Sequence, residues 1–526
     1  MTTPHRTRTS PLAGLAYLAG AMLILASADA LAATFHASPS DDVEAVINTL
    51  GPGDELILAD GTYTLTERFS FDLTGTEQAP ILIRAAEGAT PHFHRPNASQ
   101  NIWDIKATWT TIRGLEFSGG SAGLRFEAAA NMTLEGCDIH DTADVAVRMN
   151  DAGQTYDTVQ ILNNHIHHTS GTGEGMYLGC NSNGCRLANA LIANNYVHHT
   201  DGAGVSQGDG IELKEGSYGC TIRDNVIHNT KYPCILIYST AGNGAPNVVE
   251  RNVLWACGDN GIQAAADAVI ENNIILEAAY EGIALQAHQA GSPSNLVIRH
   301  NTVLQAGQNA IALRGVTGSV VIANNALYAQ AGAAINPVNG DFSQVVVSGN
   351  VGVGGVAGGQ YSITEGNLAA DFVDAHWAGA PPINLYPKAG GALVAGGDAT
   401  HVVAVDFDGT DRLGEAHAGA YHFSAQGSPG WVIAEAFKNL SGEGPADGGV
   451  DGGDLVDGGV DGVGPNTDAG ISADARTDAG NDTGSCQTCE PCHDDGCGCH
   501  THPTQPSSWF LFLALAGLAI IIRRRR

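Results

Sequence analysis

Hydrophobic and polar positions in the middle of the chain do not follow the 3.6-residue rhythm of helices. They come as short bursts of alternation that keep returning. Ile192-Ala-Asn-Asn195-Tyr-Val197, Ile222-Arg-Asp-Asn225-Val-Ile227, Ile298-Arg-His-Asn301-Thr-Val303 and Ile322-Ala-Asn-Asn325-Ala-Leu327 are one phrase repeated. Its asparagine recurs at 164, 195, 225, 252, 273, 301, 325 and 350, at intervals of 31, 30, 27, 21, 28, 24 and 25 residues. Downstream of each comes a second burst, Gly-apolar-x-apolar, as in Gly175-Met-Tyr-Leu178, Gly210-Ile-Glu-Leu213 and Gly282-Ile-Ala-Leu285. A near-constant unit of short strands, with turns free to change length and glycine at the corners, is one rung of a solenoid.

The pattern predicts an all-β parallel β-helix from about residue 53 to 365. At an inward bend the repeated asparagine can bond to its equivalent in the next rung, so that buried amides satisfy one another. Cys137 occupies the same position one rung before Asn164 and reads as a small buried hydrophobe. Ahead of the first expected strand, Asp42-Val-Glu-Ala-Val-Ile-Asn-Thr-Leu50 has the pattern of a short amphipathic helix. An N-terminal capping helix over residues 41–50 would cover the open first rung.

The two ends have a different character. Residues 1–33 carry His5, Arg6 and Arg8, an apolar run from Leu12 to Ala28 and small residues at 30–32, the pattern of a signal peptide. After a β-helix domain spanning 34–440, residues 441–485 form an acidic Gly/Asp-rich stretch with no means of building a core, expected to be a disordered linker. Its Asp spacing invites a calcium-loop reading but does not complete the ligand pattern. Residues 486–508 are Cys-rich, and Cys486, Cys489 and Cys492 have a spacing that also suits zinc. Residues 509–526 give a short C-terminal apolar helix, too short to span a bilayer comfortably, ending in four arginines.

Composition narrows the partners. A net charge of −31 leaves no basic footprint for nucleic acid. Acidic polysaccharide is a weaker exclusion, because bound cations or a local basic patch can compensate.

On the second strand of each rung, if Ile211 and Leu213 face inward, Glu212 and Lys214 face outward. The same register turns Arg148, Tyr177, Tyr238, Gln263 and Arg314 outward, along with Arg125, Glu127 and Gln286. Such a row suits an extended sugar chain, with aromatics on the rings and the others on hydroxyls or carboxylates. In Gly208-Asp-Gly-Ile-Glu-Leu-Lys-Glu215, acids and a lysine share one rung edge: Lys214, Glu212 and Arg148 are the candidate catalytic residues, Tyr177, Tyr238, Gln263 and Arg314 the substrate-binding ones, and Asp209 and Glu212 candidate calcium ligands. The plain alternative is a solvated Glu212–Lys214 ion pair. As a base, Lys214 needs its pKa lowered by burial or a basic neighbour, and Arg148 lies two rungs away.

His140, His167, His198 and His228 recur at one rung position, followed in two cases by His168 and His199. They read either as turn residues stacking ring on ring and bonding to backbone, or as metal ligands or bases. Cys180 and Cys185 flank a loop short enough for a disulfide, and Cys220, Cys234 and Cys257 lie in adjacent rungs that can include one pair.

Ala59-Asp-Gly-Thr-Tyr63, Ile81-Leu-Ile-Arg-Ala85, the Asn rungs, Asp406-Phe-Asp-Gly-Thr-Asp-Arg412 and Gly419-Ala-Tyr421 together resemble the pectate-lyase-like superfamily. That resemblance implies a right-handed coil. The segment 208–215 is similar to calcium-aided polysaccharide lyases of the alginate and chondroitin type, implying β-elimination on uronic acid polymers. The order Cys cluster, apolar run, Arg cluster resembles carboxy-terminal sorting tags of myxobacterial surface proteins. It implies processing near a Cys and delivery of the secreted chain to the cell surface or outer membrane, with the envelope as a partner; the folded unit is expected to be a monomer. A non-catalytic adhesion or glycan-binding β-helix is the alternative function.

Overall fold

A computed structural model describes residues 32–427 and 430–439. The signal-peptide, linker, Cys-rich and apolar-tail expectations, at 1–33, 441–485, 486–508 and 509–526, lie essentially outside the described residues. Among the described residues no helix is long and apolar enough to cross a membrane.

Three sheets of parallel strands run the length of a solenoid. The first begins at Thr34–Ala37 and Glu55–Leu58 and ends at Val345–Ser348; the third runs from Gly61–Thr64 to Thr364–Glu365. In each rung the strand of the second sheet follows that of the third; the second sheet includes Val147–Met149, Met176–Leu178, Ile211–Leu213, Ile235–Ile237 and Ile262–Ala264. Alternation does the sorting: on the third sheet Ile139, Ile166, Val197, Ile227, Leu254, Ile275, Val303 and Leu327 are paired rung over rung and all fully buried. Each such side chain contributes about 1.5–3 kcal/mol of burial.

The eight asparagines form the expected ladder. Asn225 Nδ2 donates to Asn252 Oδ1 at 2.9 Å, Asn252 to Asn273 at 2.9 Å, and so on to Asn350. Each Oδ1 also takes the backbone N–H of the previous ladder residue, as Asn252 does from Asn225 at 3.0 Å. The Cys137 N–H bonds to Asn164 Oδ1 in the same way. The residue before each ladder position takes the bend: Asn163, Asn194, Asp224 and Asn324 have φ of 55–57°, a region that Asn and Asp tolerate best among residues with a side chain.

Three features differ from the sequence reading. A strand, Thr34–Ala37, precedes the helix and forms the edge of the first sheet, so the sheet starts before residue 53. The helix itself is confined to Val43–Ile47, with the Asp42 side chain capping Ala45 N–H and Val43 and Ile47 buried. Finally, residues 366–427 and 430–439 fold back over the outer face of the third sheet, packing Phe372, Leu385, Phe407, Tyr421 and Ile433 on Val253, Trp255, Leu276 and Tyr328. This cover explains why strands such as Ile274–Ala278 lose their alternation: both faces are buried. Arg412, fully buried, holds the cover by donating to the carbonyls of Gly419 and Ala420 and to Asn272 Oδ1.

Candidate functional site

The register of the second sheet places Arg148 beside Tyr177, Tyr177 beside Glu212, and Glu212 beside Leu236 in successive rungs. Ile211 and Leu213 point into the core, so Glu212 and Lys214 face outward as alternation requires. They are nevertheless not solvated. Glu212 is 1% exposed and Lys214 4%, because the turn after strand Ile283–Gln286 lies over them. In that turn His288 Nε2 meets Tyr238 OH at 2.8 Å, its ring against the Tyr238 ring. Gln289 next to it bonds to the loop closed by the Cys180–Cys185 disulfide. The expected exposed ion pair is thus a covered one.

Inside this pocket Lys214 Nζ donates to Glu212 Oε1 and, at 3.3 Å, to Tyr238 OH. Tyr238 OH donates to the same Glu212 oxygen at 2.9 Å. The Lys214 ammonium also sits over the rings of Tyr177, 4.2 Å from its centroid, and Tyr238, at 5.0 Å. Burial by itself would lower the lysine pKa, but Glu212 and Tyr177 outweigh it and raise it. That is opposite to what a free general base requires. Burial, and next the Glu212 charge, raise the Tyr238 phenol, which keeps its proton throughout the neutral range.

A third carboxylate joins Asp209 and Glu212. Glu174, preceding strand Met176–Leu178, stands one rung from Asp209, and ligand atoms of the three acids lie within 4.8 Å of one another, all buried. Both oxygens of Glu174, Asp209 Oδ1 and Glu212 Oε2 are buried without a hydrogen-bond partner. Burial and then the neighbouring carboxylates push Asp209 well above the usual carboxylate range; Glu174 is raised as well, by burial first. Were all three carboxylates ionised beside the one ammonium, they would sum to −2, which a divalent cation would cancel. Unpartnered carboxylate oxygens converging on one point are the donor set a hard cation such as calcium takes.

The other candidates stand farther out. Arg148 bonds to Asn150 Oδ1 at 2.9 Å and lies 3.7 Å from Asp144, one rung beyond Tyr177, so it does not touch Lys214. Gln263 is two rungs on, accepting from Asn260 Nδ2 at 3.1 Å, and Arg314 farther still, paired with Glu281. Two pocket residues escaped the sequence reading. Glu174 was signalled by Gly173-Glu-Gly175, which repeats Gly208-Asp-Gly210 one rung earlier; His288 carried no local signal.

The histidine column stacks, from His140 through His167, His198 and His228 to Trp255, with centroids 4.3–5.1 Å apart. Its ring nitrogens bond to carboxylates, one amide, a phenol and other imidazoles, where backbone partners were expected. Cys234 and Cys257 are bonded, which leaves Cys137 and Cys220 as buried thiols among the described residues. A shallow groove of about 310 Å³ lies elsewhere, bordered by Leu162, Asn194, Arg223 and Lys438; its one acid, Asp224, is tied to Arg251 and Lys438.

A Pel9A-like right-handed β-helix region family matches residues 24–190, and a right-handed β-helix region family matches residues 188–327. No curated protein matches the chain. Similar solved structures include an alginate lyase from Paenibacillus sp. str. FPU-7, at 22% identity and TM-score 0.41 over 60% of this chain and 97% of that one. Another is the pectate lyase Pel9A, at 14% identity and TM-score 0.45 over 74% of this chain and 96% of that one. XylC in complex with xylose aligns at 10% identity and TM-score 0.46, over 65% and 88%. Its three parallel sheets make the chain a parallel β-helix protein, and two right-handed β-helix region families match it in succession from residue 24 to 327.

Proposed function

We propose that this protein is a secreted, surface-held polysaccharide lyase that cleaves uronic-acid-containing glycans by β-elimination in the Lys214 pocket. The observation that carries the reading is the convergence of unpartnered oxygens of Glu174, Asp209 and Glu212 beside a lysine flanked by two tyrosines. A calcium ion held by these acids would neutralise the substrate carboxylate and take up the negative charge that now keeps the Lys214 proton in place. Neutral Lys214 Nζ then accepts the proton from C5 of the uronate. The C4–C5 double bond forms as the C4–O bond breaks, and the departing oxygen takes the Tyr238 phenol proton. Tyr177 lies beneath the lysine and offers a ring face to the sugar. Arg148, Gln263 and Arg314, spaced along the same face, would hold sugars on either side. The leader and tail patterns support secretion and envelope attachment.

The test is release of unsaturated uronate, followed by its ultraviolet absorbance, from alginate, polygalacturonate and chondroitin with calcium present. Loss of release in Lys214→Ala is expected. Absence of product from every uronate polymer, or equal release by Lys214→Ala, overturns the reading. One observation favours a non-catalytic glycan-binding role: Lys214 is ion-paired and covered by the His288 turn. Retention of a uronate polymer without cleavage would support that role.

A further inference from the structure

On the third sheet, strand His165–His167 lies directly over strand Asp138–His140, with His165 opposite Asp138. Ile166 enters the core, so His165 and His167 both turn outward and reach the same carboxylate. His165 Nδ1 lies 3.4 Å and His167 Nε2 3.2 Å from Asp138 Oδ1. These are long for charge-assisted hydrogen bonds, and Asp138 Oδ1 makes none. They match instead the roughly 3.4 Å that separates ligand atoms around a tetrahedral ion with bonds of about 2.1 Å.

The far nitrogens tell the same story. His165 Nε2 meets His198 Nε2 at 2.8 Å, and His167 Nδ1 meets His168 Nδ1 at 2.6 Å. An imidazole that gives one nitrogen to a metal carries its proton on the other and donates it outward. Both far nitrogens have an imidazole acceptor in place, and His198 can pass the pattern on through Nδ1 to His199 Nδ1 at 2.6 Å. Close contacts outside and loose ones inside are what a metal cage requires.

The neighbouring cluster of His92, Glu116 and His140 differs. There His140 lies between Glu116 at 3.2 Å and Asp141 at 2.8 Å, and against its burial these two raise it to about 9. An imidazolium between two carboxylates accounts for that cluster with no ion.

We propose that Asp138, His165 and His167 bind one divalent transition-metal ion of the zinc class, with a coordination position left open to solvent. Two imidazoles and one carboxylate suit zinc or cobalt and not calcium. The side chains, 14–29% exposed, leave a path for the ion.

The test is cobalt(II) and zinc(II) binding to the full chain with excess calcium present, by dialysis and metal analysis and by the cobalt spectrum. Thiolates of the tail cysteines would compete for such ions, so the readout is a difference between variants. His165→Ala/His167→Ala should bind one equivalent less than the native chain, and the missing part of the spectrum should lack a thiolate-to-cobalt band. Asp138→Asn, which keeps its shape, should weaken that equivalent by at least about tenfold and remove the zinc-induced rise in melting temperature. Equal stoichiometry in the double variant, or an undiminished zinc-induced rise in Asp138→Asn, overturns the proposal. Should the double variant fail to fold, Asp138→Asn alone decides.

Discussion

Gln289 and Asn181, 108 residues apart, hold each other side chain to side chain: Gln289 Nε2 donates to Asn181 Oδ1 at 2.7 Å. Gln289 Oε1 accepts the Ser182 N–H at 2.7 Å, so one glutamine ties the His288 turn to the disulfide loop across the Lys214 pocket. Gln289→Ala should loosen this strap by about 1 kcal/mol, raising the open population roughly fivefold. Acylation of Lys214, mapped by mass spectrometry against the half-exposed Lys106, should speed up correspondingly. An unchanged labelling rate would mean that the turn is held by other contacts.

The acid cluster should respond to charge in opposite directions with and without calcium. A buried carboxyl whose folded pKa is raised stabilises the fold below its unfolded value and loses that contribution as pH rises. At neutral pH without calcium, Asp209→Asn or Glu174→Gln therefore relieves repulsion and should raise stability by about 1 kcal/mol. With calcium, the native chain should gain melting temperature and these variants should not. Denaturation in chelator and in calcium, side by side, checks both signs.

Lys214→Ala should destabilise the calcium-free protein, because Glu212 loses its ammonium partner in a covered site. A loss of about 3 kcal/mol is expected, and calcium should restore part of it. Urea unfolding with and without calcium measures the difference.

The ladder predicts a sharper local cost. Asn252→Ala strips the acceptor from both the N–H and Nδ2 of Asn225 while burying them still. Two buried donors left unpaired should cost roughly 2–5 kcal/mol, visible as a fall in the urea midpoint.

Acid should unfold the protein from the histidine side. His198, pushed down to about 2 by burial and by the neighbouring imidazoles, remains neutral in the folded chain, and burial chiefly lowers His228 and His300 as well. The unfolded chain protonates its histidines near 6.5, so each of these groups contributes stability that is lost as pH falls below that value. For His198 the loss between pH 7.5 and 5.5 is about 1.4 kcal/mol, and His228 and His300 add to it in the same direction. Melting temperatures across that range test it.

Most of the solenoid was legible because one constraint repeats: each rung needs an inward aliphatic stack and a satisfied amide at the bend. Ile166, Val197 and Ile227 each announce the same position, and Asn164, Asn195 and Asn225 fix its register. The outward direction of Glu212 and Lys214 followed from that register. Their burial did not, since it depends on His288 and Gln289 arriving from three rungs away with no pattern to mark them. Likewise Val253-Leu-Trp255 shows apolar residues on both faces, yet nothing local says that residues 366–439 provide the cover.

That returning segment also gauges length. An asparagine ladder passes identically from rung to rung and would tolerate a coil of any number of turns. Residues 366–439 would not: Asp371 is fixed to Tyr328 OH at 2.6 Å near one end and Lys438 to Asp224 Oδ1 at 2.9 Å near the other. A duplicated or deleted rung between Asp224 and Tyr328 would move those anchors by about 4.8 Å against a segment of fixed reach. One inserted ahead of Asp224 leaves the gauge undisturbed, so changes in coil length should be accommodated on that side alone.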